Sequence, residues 1–525
     1  MNLLDQSNAW LSFRLQDGSV SKGSVYDILM TDRIDIVSPR ADFRGALYQF
    51  LIGLLQQAMP PADINTWHVL YTQPPTLDEL MQAFQPLLGA FEVLSDDAAF
   101  MQDWDQLADV KPIGIENLLI DLGSDSNLFF NKTSQWAGLC EGCAAQALLT
   151  LQINAPSGGV GHRVSLRGGG PLTTLLLPQE PNASLWQKLW LNVIPTSSLP
   201  SEAAQEMPLA SSLPWMTPTR DSKQGNPTTP EDVHYLQAYW SMPRRIRLDK
   251  QNTNVGPCEI CGEHHEILIS QYRTRNYGTN YAGAWQHPLT PYSFDAKNEK
   301  PPNPVKGKRG SSTYRQWLSL TLASADDASK PAGVVQDYSR YKGRRLRLSA
   351  PPRLWCFGFE MDNMKAKCWY DTALPLFDIA GDERQFGNVV SALLDVATEA
   401  AKQLSEQVKQ ARNASAREPM IELDFWQQSE AGFYALLDIL AAMPDLSDEE
   451  LLAPLYCKWL LTLKKLCERL FEQWVLDVPI EEMDMQRVIK AKADLSKWLR
   501  LAKPMKKLWD IVNTYQKENH ATATE

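Results

Sequence analysis

Two Cys-x-x-Cys pairs, Cys140/Cys143 in LCEGC and Cys258/Cys261 in PCEICG, are the residues of this chain best suited to chemistry. Four thiolates close a tetrahedral zinc site and leave no open position, which is the pattern of a structural metal rather than a catalytic one. The start, MNLLDQSNAWLSFRL, has no basic segment followed by an apolar core, so the pairs point to metal or redox chemistry and not to a disulfide framework. Buried reduced thiols are the alternative. His264, His265 and Glu266 follow Cys261 and suggest a metal-activated hydrolase, but their spacing argues against one. A zinc protease needs two histidines four apart on a helix with a glutamate beside the first. A deaminase needs His-x-Glu with a cysteine pair close behind. Cys356, Cys368, Cys457 and Cys467 have no ligand spacing and read as buried thiols.

Between the cysteine pairs lie two glycine clusters, Gly158, Gly159 and Gly161, then Gly168 to Gly170. Glycine permits positive φ and close approach by another molecule, and successive backbone N–H groups in such a turn can form an anion-binding nest. A long hairpin turn is the competing reading, and the missing Gly-Lys-Ser/Thr ending excludes a nucleotide P-loop. Phe129, Phe130 and Asn131 sit between turn-forming segments, on a loop or in the core. The net charge of −11 is unevenly spread: residues 241–350 hold 18 Lys and Arg against 9 Asp and Glu, a balance of +9 that leaves −20 elsewhere. The basic residues cluster as Arg244, Arg245 and Arg247; Arg273 and Arg275; Lys306, Lys308 and Arg309; and Lys342, Arg344, Arg345 and Arg347, several beside aromatics. That pattern suits phosphate contact with stacking, although single clusters of this kind are usually solvated surface.

The elements that must position these residues can be read from periodicity. Leu47, Phe50, Leu51, Leu54 and Leu55 keep helical spacing and predict a core helix. Thr76 followed by Glu79 fits a capping box, opening a helical pattern from Pro75 to Leu107 through Leu80, Phe84, Leu87 and Phe91. Residues 197–232, rich in Pro, Ser and Thr, read as an irregular connection. After residue 380 four amphipathic stripes follow: Val390 to Val408, Phe433 to Leu440, Leu451 to Trp474, and Val488 to Val512 with a kink expected at Pro504. The expected fold is therefore α+β: a large mixed domain over 1–380 carrying the zinc site, then a four-helix bundle over 381–525. No apolar run is long enough for a membrane span, so the chain reads as cytoplasmic.

Taken together, LCEGC, APSGGVG, RGGGPLTT, CEICG, WQHPLTP (Trp285 to Pro291) and FGFEMDNMKAKCW (Phe357 to Trp369), with the NLLDQSNAW opening, resemble the CasA family. That family is the large subunit of the type I-E CRISPR Cascade complex, and the resemblance runs over essentially the whole chain. It implies a non-enzymatic subunit that partners the other Cascade subunits and the crRNA 5′ handle. Such a subunit reads the PAM in double-stranded DNA, promotes duplex opening and recruits a helicase-nuclease, while guide pairing reads the long sequence. Carried over position by position, the glycine loop facing the PAM minor groove falls on Gly158, Gly159 and Gly161. The crRNA-binding aromatic falls on Phe129 with Asn131 beside it, and the zinc ligands on Cys140, Cys143, Cys258 and Cys261. The family's groove-entering lysine aligns with Asn276, where Arg275 is the substitute cation. Its glutamine wedge aligns near Asn363, with Met364 alongside. These departures leave the PAM sequence open. The competing expectation is a zinc-stapled scaffold of another assembly without direct DNA readout.

Overall fold

The computed structural model describes residues 1–122, 136–159, 161–204, 207–295, 297, 300–307, 314–323, 328–346, 348, 350–362, 365–477 and 484–522. The chain forms two units, Met1–Arg309 with Ala328–Ala373, and Gly310–Asp327 with Leu374–Glu525. A single cut at residue 380 thus misses a short excursion into the helical unit, for which Tyr314 supplies the reason below.

The first unit is built around the helix Ala41–Ala58, which is buried on nearly every side. Leu47, Phe50, Leu51, Leu54 and Leu55 are all essentially inaccessible, as their spacing requires. Before it comes a three-stranded antiparallel sheet, with Leu11–Leu15 between Val20–Gly23 and Arg33–Val37. Helix and sheet are tied where Asp35 accepts hydrogen bonds from Arg44 and Tyr48. Phe50 meets Phe91, Phe100 and Trp240 edge-on at centroid distances of 6.0, 5.8 and 6.0 Å, and Trp215 packs against the same rings. Such edge contacts add to area burial.

The capping box forms: the Thr76 hydroxyl accepts from the Glu79 N–H, and Glu79 accepts from the Thr76 N–H at 2.7 Å. The helix it opens is shorter than its pattern suggested. It covers Leu77–Phe84, continues as a 3-10 turn over Gln85–Ala90, and then gives way to bends although Phe91 stays buried. Three further strand sets carry the candidate site. Arg353–Asp362 lies between Thr173–Leu177 and Lys365–Pro375. Gln271–Arg275 lies between Ile113–Gly114 and Arg245–Leu248, and Thr253–Pro257 forms a hairpin with His264–Ile269.

The second unit contains, among the described residues, the long helices Glu383–Ala411, Pro419–Ala441, Glu449–Val475, Met485–Leu501 and Lys503–Thr522. The fourth stripe is therefore two helices, separated at Ala502, whose ψ of 142° leaves helical geometry before Pro504. Trp459 is fully buried and its indole N–H donates to Leu393 O at 3.1 Å, fixing the third helix against the first. Tyr314 stacks on Phe433 at 4.3 Å and shares a 2.8 Å hydrogen bond with Ser429. These contacts are why a segment outside the C-terminal stripes folds with them.

Candidate metal centre and glycine loop

The helix Glu141–Asn154 organises the site, because Cys140 begins it and the glycine loop leaves its other end. Fourteen residues at about 1.5 Å each put the two roughly 20 Å apart. Cys140 is the N-cap, its sulfur accepting from the Cys143 N–H at 3.4 Å. The second pair sits at the turn of the hairpin, where Cys258 N–H donates to Glu263 O and Gly262 N–H to Cys258 O, both at 2.8 Å. A two-bond bridge between Leu139 and Ile269 joins the halves, and Glu259 N–H donates to Gly138 O. Gly138 has φ of +145°, and a Cβ there would lie 2.9 Å from Ile269 O, so the bridge needs a glycine.

These constraints bring Cys140, Cys143, Cys258 and Cys261 together, every sulfur within 4.8 Å of the others. Cys140 Sγ and Cys261 Sγ are 3.9 Å apart. Sulfurs around a tetrahedral zinc with Zn–S of about 2.3 Å lie about 3.8 Å apart, so the donor set fits. Four thiols this close cannot all ionise alone. Hydrogen bonds from Cys140 and Cys143 pull Cys258 below the thiol range, and that from Cys143 brings Cys261 to about 6. Cys143, hydrogen-bonded to its three neighbours, is held high. A divalent cation lifts that limit by stabilising every thiolate at once. His264 and Glu266 are exposed on the hairpin strand, whereas His265 Nε2 comes to 3.7 Å from Cys261 Sγ. Cys261, Glu263 and His265 form a second, overlapping donor group.

At the other end of the helix the three loop glycines differ in purpose. A Cβ on Gly158 would lie 2.6 Å from an Arg244 Nη and 2.7 Å from the His162 side chain. Gly161, with φ of +80°, is pressed against the turn that follows: its Cβ would lie 2.8 Å from that of Asn276, and its carbonyl accepts from Tyr277 N–H at 2.7 Å. Gly159, with φ of +83°, faces open space. Arg163 donates to the Ser222 hydroxyl at 2.8 Å, and that hydroxyl donates to Gly278 O, so the platform is built from three separate segments. Beside it lies a cavity of about 380 Å³ lined by Gly158, His162 and Arg244 on one side and by Lys365 and Ala366 of the long hairpin on the other. Burial, with Arg244 close by, holds the His162 imidazole below its usual range.

The family described as CRISPR-associated protein Cse1 matches residues 2–470. The chain belongs to the Cse1 family. Among solved structures, CasA of Thermus thermophilus has a TM-score of 0.70 at 16% identity, covering 97% of this chain and 99% of that one. Cse1 of Acidimicrobium ferrooxidans gives 0.68 at 15%, covering 98% and 99%. A chain described as "CRISPR RNA-guided surveillance complex" gives 0.68 at 14%, covering 95% and 99%. At these identities the structures establish a shared fold.

For this Cse1-family chain the structure brings the four cysteines together, and it places Asn276 against Gly161. Phe129, Asn131, Asn363 and Met364 lie outside the described residues. Arg275 is not a free cation: it pairs with Asp105 at 3.1 Å and with Asp109. The same is true of its neighbours on the paired strands. Arg245 pairs with Asp103 and Arg273 with Asp249, while Arg247 donates to the carbonyls of Ser95, Asp97 and Asp103. Lys342 is fully buried, bonded to Asp337 at 2.7 Å and to the carbonyls of Leu191 and Val193. Arg245, Arg273, Arg275 and Lys342 are thus taken up by internal ion pairs, and Arg247 by backbone carbonyls. Asp103, Asp105 and Asp109 stand more than 130 residues before these arginines, so nothing local in the sequence signals the pairs. The second glycine cluster is structural, with Gly170 held against Phe359 O and Gly168 against Lys306. His162, Arg244 and Lys365 wall one cavity although nothing local in the sequence joins them.

Proposed function

We propose that this chain is the large subunit of a type I-E Cascade, a crRNA-guided surveillance complex, and that it reads the PAM in double-stranded DNA. The observation that carries the reading is that the glycine loop, through Gly158 and His162, shares one cavity with Lys365 and Ala366, while Asn276 braces the same loop at Gly161. Gly158, Gly159 and Gly161 bring backbone close to the minor groove, whose code is degenerate, so several PAM sequences are tolerated. Asn276 and Arg275 stand beside them, and Asn363 with Met364 supplies the wedge that opens the duplex. Phe129 and Asn131 meet the crRNA 5′ handle. The helical unit and the remaining surface engage the other Cascade subunits and, after R-loop formation, the helicase-nuclease. The chain performs no catalysis itself and works in the cytoplasm; among the described residues no helix is long and apolar enough to cross a membrane.

The four cysteines hold a structural zinc. Its chemistry is to fix the start of the Glu141–Asn154 helix on the hairpin, which sets where that helix delivers the glycine loop. One observation favours a second reading, a zinc-stapled scaffold: Arg275, the cation beside Asn276, is already neutralised by Asp105 and Asp109. Binding of target duplex by the crRNA-loaded complex, reconstituted with and without this chain against a randomised PAM library, separates the two. PAM-dependent binding that requires the chain and falls steeply with salt supports the first. Equal, salt-insensitive binding with and without it supports the scaffold.

A further inference from the structure

In one basic segment Arg340, Arg344 and Arg345 are unpaired among the described residues, while Lys342 is held internally. The chain runs from the helix Gly333–Asp337 into a π-helical turn, Tyr338–Lys342, and then into a last helical turn, Gly343–Leu346. Lys342, buried against Asp337 and over the Trp67 ring at 4.8 Å, locks that turn in place. The widened turn leaves Arg340 and Tyr341 facing outward, Tyr341 being 47% exposed, with Arg344 and Arg345 exposed just beyond. Single π turns recur at functional sites because they displace side chains from helical register.

Arg340 and Tyr341 form the rim of a cavity of about 460 Å³. Its walls include Trp285 and Tyr292, 6% and 4% exposed, and His287, 4% exposed. His287 Nδ1 accepts from the Leu289 N–H at 3.0 Å, which fixes the proton on Nε2. Nε2 has no hydrogen-bond partner among the described residues, so the ring lines the cavity as a neutral group with a donor to spare, and burial keeps it from charging. Of the acids lining the cavity, Asp337 is committed to Lys342 and Glu231 is exposed to water.

Aromatic walls, one buried hydrogen-bond donor and a row of arginines outside, unpaired among the described residues, match the parts of an unstacked nucleotide. The ring stacks, a base oxygen or ring nitrogen accepts from Nε2–H, and the flanking phosphates meet guanidinium groups. We propose that this cavity captures one base of single-stranded nucleic acid, with the strand running over Arg340, Arg344 and Arg345. The site is separate in residue composition from the glycine-loop cavity, and the proposal rests on the reading of the chain as a nucleic-acid-binding subunit.

The test uses the full chain and a fluorescent oligothymidylate about ten nucleotides long, with one 4-thiothymidine for photocrosslinking. Anisotropy should show salt-dependent binding that weakens about tenfold in Tyr341→Ala and in Arg340→Ala, the size expected for one stacked base. Tyr341→Phe, which keeps the ring, should bind like the parent. Both positions are on the surface, so folding is unaffected. Mass spectrometry should place the adduct on the peptide bearing Tyr341 or on that bearing Trp285. Parental affinity in both alanine variants, an adduct confined to other peptides, or displacement of the oligomer by an equal concentration of thymidine monophosphate overturns the proposal. If those results appear while PAM-dependent duplex binding persists, only the cavity assignment falls. If PAM dependence is absent but the adduct forms at Tyr341, the cavity stands without the PAM reading.

Discussion

The two ends of the Glu141–Asn154 helix solve opposite problems. At its start, Cys140 and Cys143 meet Cys258 and Cys261 in a closed cluster whose donors face one another. At its finish, Gly159 turns its open side outward, while Gly158 and Gly161 are held tightly by Arg244 and by the Asn276 turn. One end satisfies itself and so can only stabilise; the other is braced from behind and left unsatisfied in front, as a surface for another molecule must be. The buried helix between them, hydrogen-bonded through Gln152 to Met101 O and Arg244 O, makes the second depend on the first. This dependence is what substitutions can break.

The largest effect belongs to the cysteines. The parent chain should carry about one zinc, and Cys258→Ala should carry none when metal is measured by plasma emission. Removing a ligand from a structural site forfeits much of the metal's contribution, which in zinc-finger peptides is about 10–16 kcal/mol in apparent terms. Calorimetry should show the thermal transition of the first unit falling by many degrees, and strong chelator should reproduce the fall in the parent. A parent chain that binds no metal at a stability equal to Cys258→Ala would show the cluster to be four packed thiols.

Next in size is the open end. Gly159→Asp adds a Cβ that meets no described residue within 4 Å beyond its chain neighbours, and Asp tolerates left-handed backbone better than most residues. Folding should change little, by about 1 kcal/mol. Duplex binding by the reconstituted complex should weaken about tenfold or more, comparable to the ~1–3 kcal/mol of one lost position in a protein–DNA interface. Gly161→Ala sharpens the contrast, because its Cβ would meet Asn276 rather than solvent. It should cost about 1–2 kcal/mol of local stability, read as faster amide exchange over residues 157–163, and it should weaken binding only through that loosening. Equal binding losses in Gly159→Asp and Gly161→Ala, without the difference in exchange, would mean that the loop acts as one flexible turn.

How far the sequence revealed this depends on the range of the interaction. Periodic burial is local, so the Ala41–Ala58 helix and the bundle stripes were legible, as was the Thr76/Glu79 cap, whose two bonds span three residues. The Cys-x-x-Cys pairs were legible as a possible ligand set because zinc chemistry restricts spacing so strongly. What stayed hidden was long-range pairing. Arg245 and Asp103 are 142 residues apart, and Arg275 and Asp105 are 170 apart. A count of basic residues cannot distinguish a free guanidinium from one facing an aspartate across a sheet. The excursion of residues 314–323 into the helical unit was hidden for the same reason, since Tyr314 finds Phe433 only in the folded chain.

The smallest expected effect tests that last point directly. Arg275→Ala removes a half-buried guanidinium held by Asp105 and Asp109 on the rim of the platform, next to the residue that Gly161 touches. Partly exposed pairs of this kind contribute about 0.2–1 kcal/mol, so the thermal transition should move by a few degrees at most. If the ion pairs only position the turn, duplex binding should fall by no more than about threefold, and its salt dependence should keep the same slope. If Arg275 instead leaves its aspartates for a phosphate, the slope of log K against log salt should decrease by about one. The double change Asp105→Asn with Asp109→Asn should then strengthen binding, because it frees the guanidinium. No change in either variant would confine recognition at this end of the helix to the backbone of the glycine loop and its Asn276 support.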